Sequence, residues 1–178
     1  MLSGSLRRLL KLVLVLFGLL TINSCYLLTI SIAGQLGNQS YENYFYLLMF
    51  LAHLVLGILL VLPALLFGAL HMRRAWRRPN RYAIRAGLAL YVTAIILFAT
   101  GLLLTRFDFF EVNDPQIRSI AYWVHALSPL ILVWLFILHR LAGPRLRWPA
   151  GLWWASASGL FAAIALSLHI WTHETVSR

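Results

Sequence analysis

The stretch HALSPLILVWLFILH, residues 125–139, decides how the chain is interpreted. It begins and ends with histidine, and the residues between the two carry no charge. Together with its flanks it forms an apolar run over roughly 119–141, and a helix needs about 20 such residues to cross a bilayer. The stretch therefore predicts a membrane-spanning helix that carries two imidazoles.

The rest of the chain has the same character. It is 61% hydrophobic and 11% charged over 178 residues, with a mean hydropathy of +0.81, which is the composition of a polytopic membrane protein. We predict an all-α, polytopic transmembrane helix bundle that forms a single membrane domain over 1–178. Its five spans are expected at roughly 9–33, 44–71, 83–104, 119–141 and 150–171, the first of them retained as a signal anchor.

The distribution of charge predicts the orientation. Twelve of the fifteen basic residues fall in segments that five spans place on one side, which the positive-inside rule makes the cytoplasm; they are Arg7, Arg8, Lys11, Arg73, Arg74, Arg77, Arg78, Arg81, Arg85, Arg140, Arg145 and Arg147. All five acidic residues fall on the other side. We expect an N-inside, C-outside protein of the bacterial inner membrane, whose net charge of +10 meets anionic lipid rather than nucleic acid.

Cysteine usage limits the redox chemistry that the chain can perform. Its one cysteine, Cys25, lies in the first span, so the sequence offers no disulfide, no CxxCH for covalent haem and no thiolate cluster. Any redox group is expected to be held by other side chains.

Four histidines lie at two expected depths. His53 and His125 belong to the outer halves of spans two and four, whereas His71 and His139 lie at the inner ends, each followed closely by arginine. Intervals of eighteen and fourteen residues bring each pair back to one face of its helix. Paired imidazoles on facing helices suit two haems with bis-histidine ligation, although each histidine taken alone fits a hydrogen bond between helices equally well.

Glycines repeat the same interval. Gly87 and Gly101 in span three are fourteen residues apart, at the two depths of the histidines. A residue without a side chain makes room for a porphyrin or for close helix packing. Gly57 and Gly68, each near a histidine of span two, allow the same two interpretations.

Two helices with two histidines each, one pair at an interval of fourteen, and glycines at the same spacing resemble the dihaem core of b-type membrane cytochromes. The resemblance covers roughly residues 44–141 and rests on spacing and depth. It implies an outer haem bound by His53 and His125 and an inner haem bound by His71 and His139.

One departure from the resemblance concerns the outer pair. The longer interval in span two leaves a mismatch of about 6 Å along the helix axis. A kink at Pro63, or a bend at Pro129, would absorb part of it. His169 in span five, also near the outer surface, is the alternative outer ligand.

Arginines are expected where haem propionates would emerge, because a guanidinium suits a carboxylate. Arg106 and Arg118 are the better candidates, since they lie outside, against the positive-inside rule. The inner candidates are Arg73, Arg74, Arg85 and Arg140, which that rule also explains.

Two further motifs remain open. His169 and His173 share one helix face and form either a metal pair or, more simply, a polar pair at the membrane surface. Tyr122 and Trp123 form either an aromatic belt, the favoured interpretation, or the wall of a quinone pocket.

The expected function is electron transfer between the quinone pool and a periplasmic cytochrome c or other redox subunit, through two non-covalent b haems. No complete catalytic site is predicted, so the chain is interpreted as a subunit of an oxidoreductase complex of the respiratory chain. The alternatives are a haem-free structural or anchor subunit and a small transporter. The transporter lacks the intramembrane carboxylates of a proton relay.

Overall fold

The computed structural model describes residues 4–38, 40–76, 79–105, 111–142 and 148–176. Within them every regular element is an α-helix, and no strand occurs. The five predicted spans are confirmed as helices long and apolar enough to cross a membrane, as in a multi-pass membrane protein. The helices are α1 (Gly4–Gly37), α2 (Tyr44–Ala75), α3 (Arg81–Leu104), α4 (Pro115–Leu141) and α5 (Trp148–Val176).

Short polar side chains begin three of the helices. Asn43, Asn80 and Asp114 each accept hydrogen bonds from backbone N–H groups in the first turn of α2, α3 and α4. Such caps satisfy N–H groups that have no partner within the helix. Pro115 follows Asp114 at the first helical position, where its missing N–H costs nothing.

The chain divides into two compact units. Unit 1 comprises Met1–Leu6 and Val61–Leu146, and unit 2 comprises Arg7–Leu60 and Arg147–Arg178. Unit 1 therefore holds the second part of α2 with α3 and α4, while unit 2 holds most of α1, the first part of α2 and α5. The single membrane domain expected over 1–178 stays a prediction.

In unit 1, α3 and α4 pack against each other along their lengths. Small buried residues, Ala86 on α3 and Ala121 and Ser128 on α4, allow the close approach that is typical of helices in membranes. At one end, Asn80 Nδ2 donates to Ala142 O at 3.0 Å. The side chain that caps α3 therefore also holds the end of α4.

In unit 2, the core is built around Tyr26 of α1, whose side chain is fully buried with Ile30, Met49 and Ala165. Asn43 Nδ2 donates to Thr172 Oγ1 at 2.9 Å, which ties the start of α2 to α5. Both units thus use a capping asparagine to join two helices.

Candidate functional site

His139 lies half-buried in the last turn of α4, with its imidazole held against α3. Its Nδ1 is 3.0 Å from Ala83 O. Because a carbonyl oxygen can only accept, Nδ1 carries the proton and donates. In the neutral ring, Nε2 then carries the lone pair, which is the form in which histidine binds a metal.

His125 repeats this arrangement fourteen residues earlier on α4. Its Nδ1 is 3.1 Å from Leu97 O, and the Thr100 hydroxyl oxygen is 3.5 Å from the same nitrogen. Leu97 is itself fourteen residues from Ala83, so one histidine–carbonyl contact occurs twice along the antiparallel helices. The two contacts are separated by about 21 Å along the axis.

Each of these imidazoles lies against a glycine of α3. A Cβ atom placed on Gly87 would be 3.1 Å from His139 Cε1, and one placed on Gly101 would be 2.9 Å from His125 Cε1. Each glycine comes four residues after the carbonyl that anchors the ring, one helical turn away. In this structure the space provided by the missing side chains is taken by the imidazoles.

Unit 1 also brings together the two histidines predicted to form the inner pair. The ring centroids of His71 and His139 are 6.1 Å apart, with an angle of 80° between the ring planes. Two imidazoles that bind one metal from opposite sides through bonds of about 2 Å have centroids about 6 Å apart. The His71 ring is also stacked on Phe67, one turn earlier on α2, at 5.3 Å between centroids.

The predicted outer pair is divided between the units. His53 belongs to unit 2, where its Nδ1 is 3.4 Å from the Ser24 hydroxyl oxygen of α1. His125 belongs to unit 1. The pairing of His53 with His125 stays a prediction.

His169, the predicted alternative outer ligand, is buried in unit 2 with 4% of its surface exposed. Its Nδ1 is 2.8 Å from the Tyr26 hydroxyl oxygen. Its role as a ligand stays a prediction, as does a metal pair with His173, whose side chain lies outside the part of the chain that the structure describes. Among the described residues, no three His, Cys, Asp or Glu side chains cluster as metal ligands do, and an axial imidazole pair requires only two.

Arg118, a predicted propionate partner, contacts backbone. Its Nη2 donates to Leu104 O, at the end of α3, at 3.4 Å. Its Nη1 donates to Val112 O, also at 3.4 Å. The guanidinium therefore has a structural role in joining α3 to the segment before α4. Arg106 lies outside the described residues. The inner arginines all lie in helices: Arg73, Arg74 and Arg85 are exposed, and Arg140 is half-buried.

The glycines of α2 differ from each other. A Cβ atom on Gly68 would overlap the ring of Tyr91, whose hydroxyl donates to Leu65 O at 3.3 Å. Gly68 therefore serves close packing between α2 and α3 in unit 1. None of the described residues has an atom within 4 Å of a Cβ placed on Gly57, which makes it a matched control for the glycines that meet a ring.

Tyr122 and Trp123 are both exposed near the start of α4, with their ring centroids 5.4 Å apart in an edge-to-face arrangement. Exposed aromatic side chains near the end of a spanning helix fit an aromatic belt. A quinone pocket at this position stays a prediction.

Sequence reasoning missed the polar residues of α1. Asn23, Ser24 and Tyr26 each contact a residue of α2 or α5 in unit 2. The signal was present in the letters TINSCY, residues 21–26, because polar side chains are costly inside an apolar span.

Comparison of the chain with protein-family models, curated proteins and solved structures finds no match.

Proposed function

We propose that the chain is a membrane-embedded b-type cytochrome subunit that moves electrons across the membrane, between the quinone pool and a periplasmic redox partner. The observation that carries the proposal is the repeated contact on α4. His125 and His139 each direct Nδ1 at a carbonyl of α3, at 3.1 and 3.0 Å. Two imidazoles in the metal-binding tautomer, fourteen residues apart, are what two stacked haem sites require.

Four histidines would hold the two groups. The inner haem would be held by His71 and His139, whose ring centroids are 6.1 Å apart in unit 1. The outer haem would take His53 and His125, with His169 as the alternative to one of them. A b haem supplies one-electron transfer at its iron. Arg106 and Arg118 remain the proposed propionate partners at the outer face.

The residues around the histidines prepare them as ligands. A hydrogen bond from Nδ1–H to a carbonyl fixes the ring's rotation and raises the basicity of Nε2. The turn that supplies the carbonyl also supplies the glycine, so the imidazole edge lies directly on the α3 backbone. A ligand whose orientation is fixed before binding loses little conformational entropy when it binds.

The proposed orientation is N-inside and C-outside, in a bacterial inner membrane. It is supported by the twelve basic residues that five helices assign to one side, because basic residues collect on the cytoplasmic side. His71 and His139 then lie near the cytoplasm, and the acidic loops face the partner. Electrons would cross between two sites separated by about the 21 Å that fourteen helical residues span.

A haem-free structural subunit is the second candidate, and one observation favours it. The contacts from His125 and His139 to α3 are complete hydrogen bonds within the protein, and such bonds stabilise helix pairs in membranes by about 0.6–2 kcal/mol each. Histidines with this role alone would bind no iron.

One experiment separates the two candidates. Protein expressed with sufficient haem supply and purified in detergent is expected to give the reduced-minus-oxidised spectrum of low-spin, bis-imidazole haem. Extraction of the haem into pyridine is expected to give close to two haems per chain. Folded, monodisperse protein without haem would contradict the proposal and favour the structural subunit.

A further inference from the structure

Asn23 of α1 has an amide oxygen that the fold leaves unsatisfied. Its side chain is buried, with 4% of its surface exposed, and none of the described residues donates a hydrogen bond to Oδ1. A buried amide without its hydrogen bond costs about 1–3 kcal/mol in proteins. An orphaned acceptor in a membrane span therefore requires an explanation.

The direction of this oxygen is fixed by the other half of the amide. Asn23 Nδ2 donates to Met49 O on α2 at 2.9 Å and lies 3.8 Å from Met49 Sδ. Because a carbonyl only accepts, the NH₂ group must face Met49, and the amide cannot turn over without losing that bond. Oδ1 is thus held as an acceptor in one orientation.

A second polar contact lies beside the first. The Ser24 hydroxyl oxygen is 3.4 Å from His53 Nδ1, so consecutive residues of α1 meet residues one turn apart on α2. Cys25, the next residue of α1, is exposed. At this depth of unit 2, the contacts between α1 and α2 therefore bring together a fixed acceptor, a hydroxyl and an imidazole.

We propose that this level of unit 2 is a binding site for the hydroxyl group of a hydroquinone, with Asn23 Oδ1 as the acceptor. The ligand must donate, because the orphaned atom accepts, and a neutral ligand suits an apolar helix long enough to span a membrane. A hydroquinone meets both conditions and dissolves in lipid. The Met49 side chain, with its flexible thioether against the amide, is the side chain that would move to make room for it.

This inference rests on the proposed function, since it locates on α1 and α2 the lipid-soluble redox partner that the function requires. It places that ligand next to His53 rather than at Tyr122 and Trp123. The step proposed is binding alone.

The test is a titration of the purified full chain in nanodiscs with a short-chain benzohydroquinone, followed by intrinsic fluorescence. Asn23→Leu, of similar volume but without an acceptor, is expected to weaken binding by about tenfold or more. Thr29→Val is the matched control on the same helix, because that hydroxyl already donates to Cys25 O at 2.7 Å; it is expected to bind as the unmodified chain does. Equal affinity of Asn23→Leu and the unmodified chain would overturn the proposal.

A second measurement needs no substitution, in case Asn23→Leu fails to fold. The dipeptide Ile–Asn occurs once in the sequence, at residues 22–23, so paired isotope labels identify the Asn23 side chain by solid-state NMR. Its Cγ resonance is expected to shift when benzohydroquinone is added. An unchanged resonance at saturating ligand, as for an oxygen that only binds water, would overturn the site.

Haem counted in the same samples separates the two proposals. Haem-free protein whose Asn23 resonance responds to benzohydroquinone would retain the binding site and remove the cytochrome. Protein with two haems and no dependence on Asn23 would retain the cytochrome and remove the site.

Discussion

The two units hold their histidines in different ways. In unit 1, His125 and His139 each contact a backbone carbonyl of α3 through Nδ1. In unit 2, His53 contacts the Ser24 hydroxyl and His169 the Tyr26 hydroxyl through the same atom. A carbonyl can only accept, whereas a hydroxyl both donates and accepts.

The difference determines what each imidazole can do. A carbonyl fixes the tautomer with the proton on Nδ1, so His125 and His139 have the neutral form that the proposed role as ligands requires. A hydroxyl allows either tautomer, so the contacts of His53 and His169 do not determine which ring nitrogen carries the proton. The two contacts of unit 1 therefore fix the position of the proton on the ring, and the two contacts of unit 2 leave it open.

The largest expected effect is the loss of the inner haem when a ligand of unit 1 is removed. His71→Ala and His139→Ala are each expected to reduce the haem content from two to one per chain, because one axial imidazole holds iron weakly. His173→Ala, which removes an imidazole outside the proposed pairs, is the control and is expected to retain two. Haem content after purification and redox titration are the measurements. Two haems in the His139→Ala protein would contradict the assignment of His139 as a ligand of the inner haem.

The next effect concerns the glycines beneath the rings. Gly101→Ala places a Cβ 2.9 Å from His125 Cε1, closer than the 3.1 Å for Gly87→Ala against His139. Overpacking of this kind costs about 1–3 kcal/mol, and the ring must move away from its carbonyl. We expect both variants to bind haem less tightly and to shift a midpoint potential, Gly101→Ala more strongly.

Gly57→Ala is the matched control, since a Cβ at that position has open space among the described residues. It is expected to leave the haem content and both midpoint potentials unchanged. If Gly101→Ala also leaves them unchanged, the imidazole of His125 is not held against α3 as described.

A smaller effect is expected from the asparagine that joins the ends of α3 and α4. Asn80→Ala removes both the cap at Ala83 N and the bond to Ala142 O. Loss of a cap costs about 0.5–2 kcal/mol. We expect a lower thermal unfolding temperature in detergent, with the inner haem released before the outer one because Ala83 also anchors His139. Simultaneous release of both haems would show that Asn80 does not stabilise the end of unit 1 that holds His139 more than the other end.

The smallest effect is expected in unit 2, from loss of the Tyr26 hydroxyl that contacts His169. Tyr26→Phe removes the hydroxyl that contacts His169 Nδ1 at 2.8 Å and retains the buried ring. We expect a loss of about 1 kcal/mol in stability and two haems per chain. Tyr122→Phe, on an exposed ring, is the control. Loss of a haem in the Tyr26→Phe protein would indicate that His169 is the outer ligand.

The sequence predicted the helices, and it predicted that the histidines of α4 and the glycines of α3 share an interval of fourteen residues. Five apolar runs predicted five helices, and the common interval of fourteen predicted Gly87 at the depth of His139 and Gly101 at the depth of His125, because both helices advance by the same rise per residue. The structure brings each glycine against the imidazole at its depth. It did not predict that the imidazoles would occupy the space above these glycines. Ligand distances depend on helix rotation and separation, which periodicity does not fix.

Other parts of the site were missed or interpreted differently from the sequence, for three separate reasons. Ala83 and Leu97 act through backbone carbonyls, which every residue possesses. Arg118 was interpreted from its charge as a propionate partner, which stays a prediction, and its contacts to Leu104 O and Val112 O depend on the chain path between α3 and α4. Asn23 and Ser24 were overlooked because the first span was interpreted only as a signal anchor.

The central claim is that His71 and His139 are the two axial ligands of one iron. The most direct measurement is electron paramagnetic resonance with nuclear double resonance on oxidised protein that contains ¹⁵N-labelled histidine. The account predicts two imidazole nitrogens coupled to each low-spin ferric iron. Folded protein without iron, or iron coupled to a single histidine nitrogen, would contradict it.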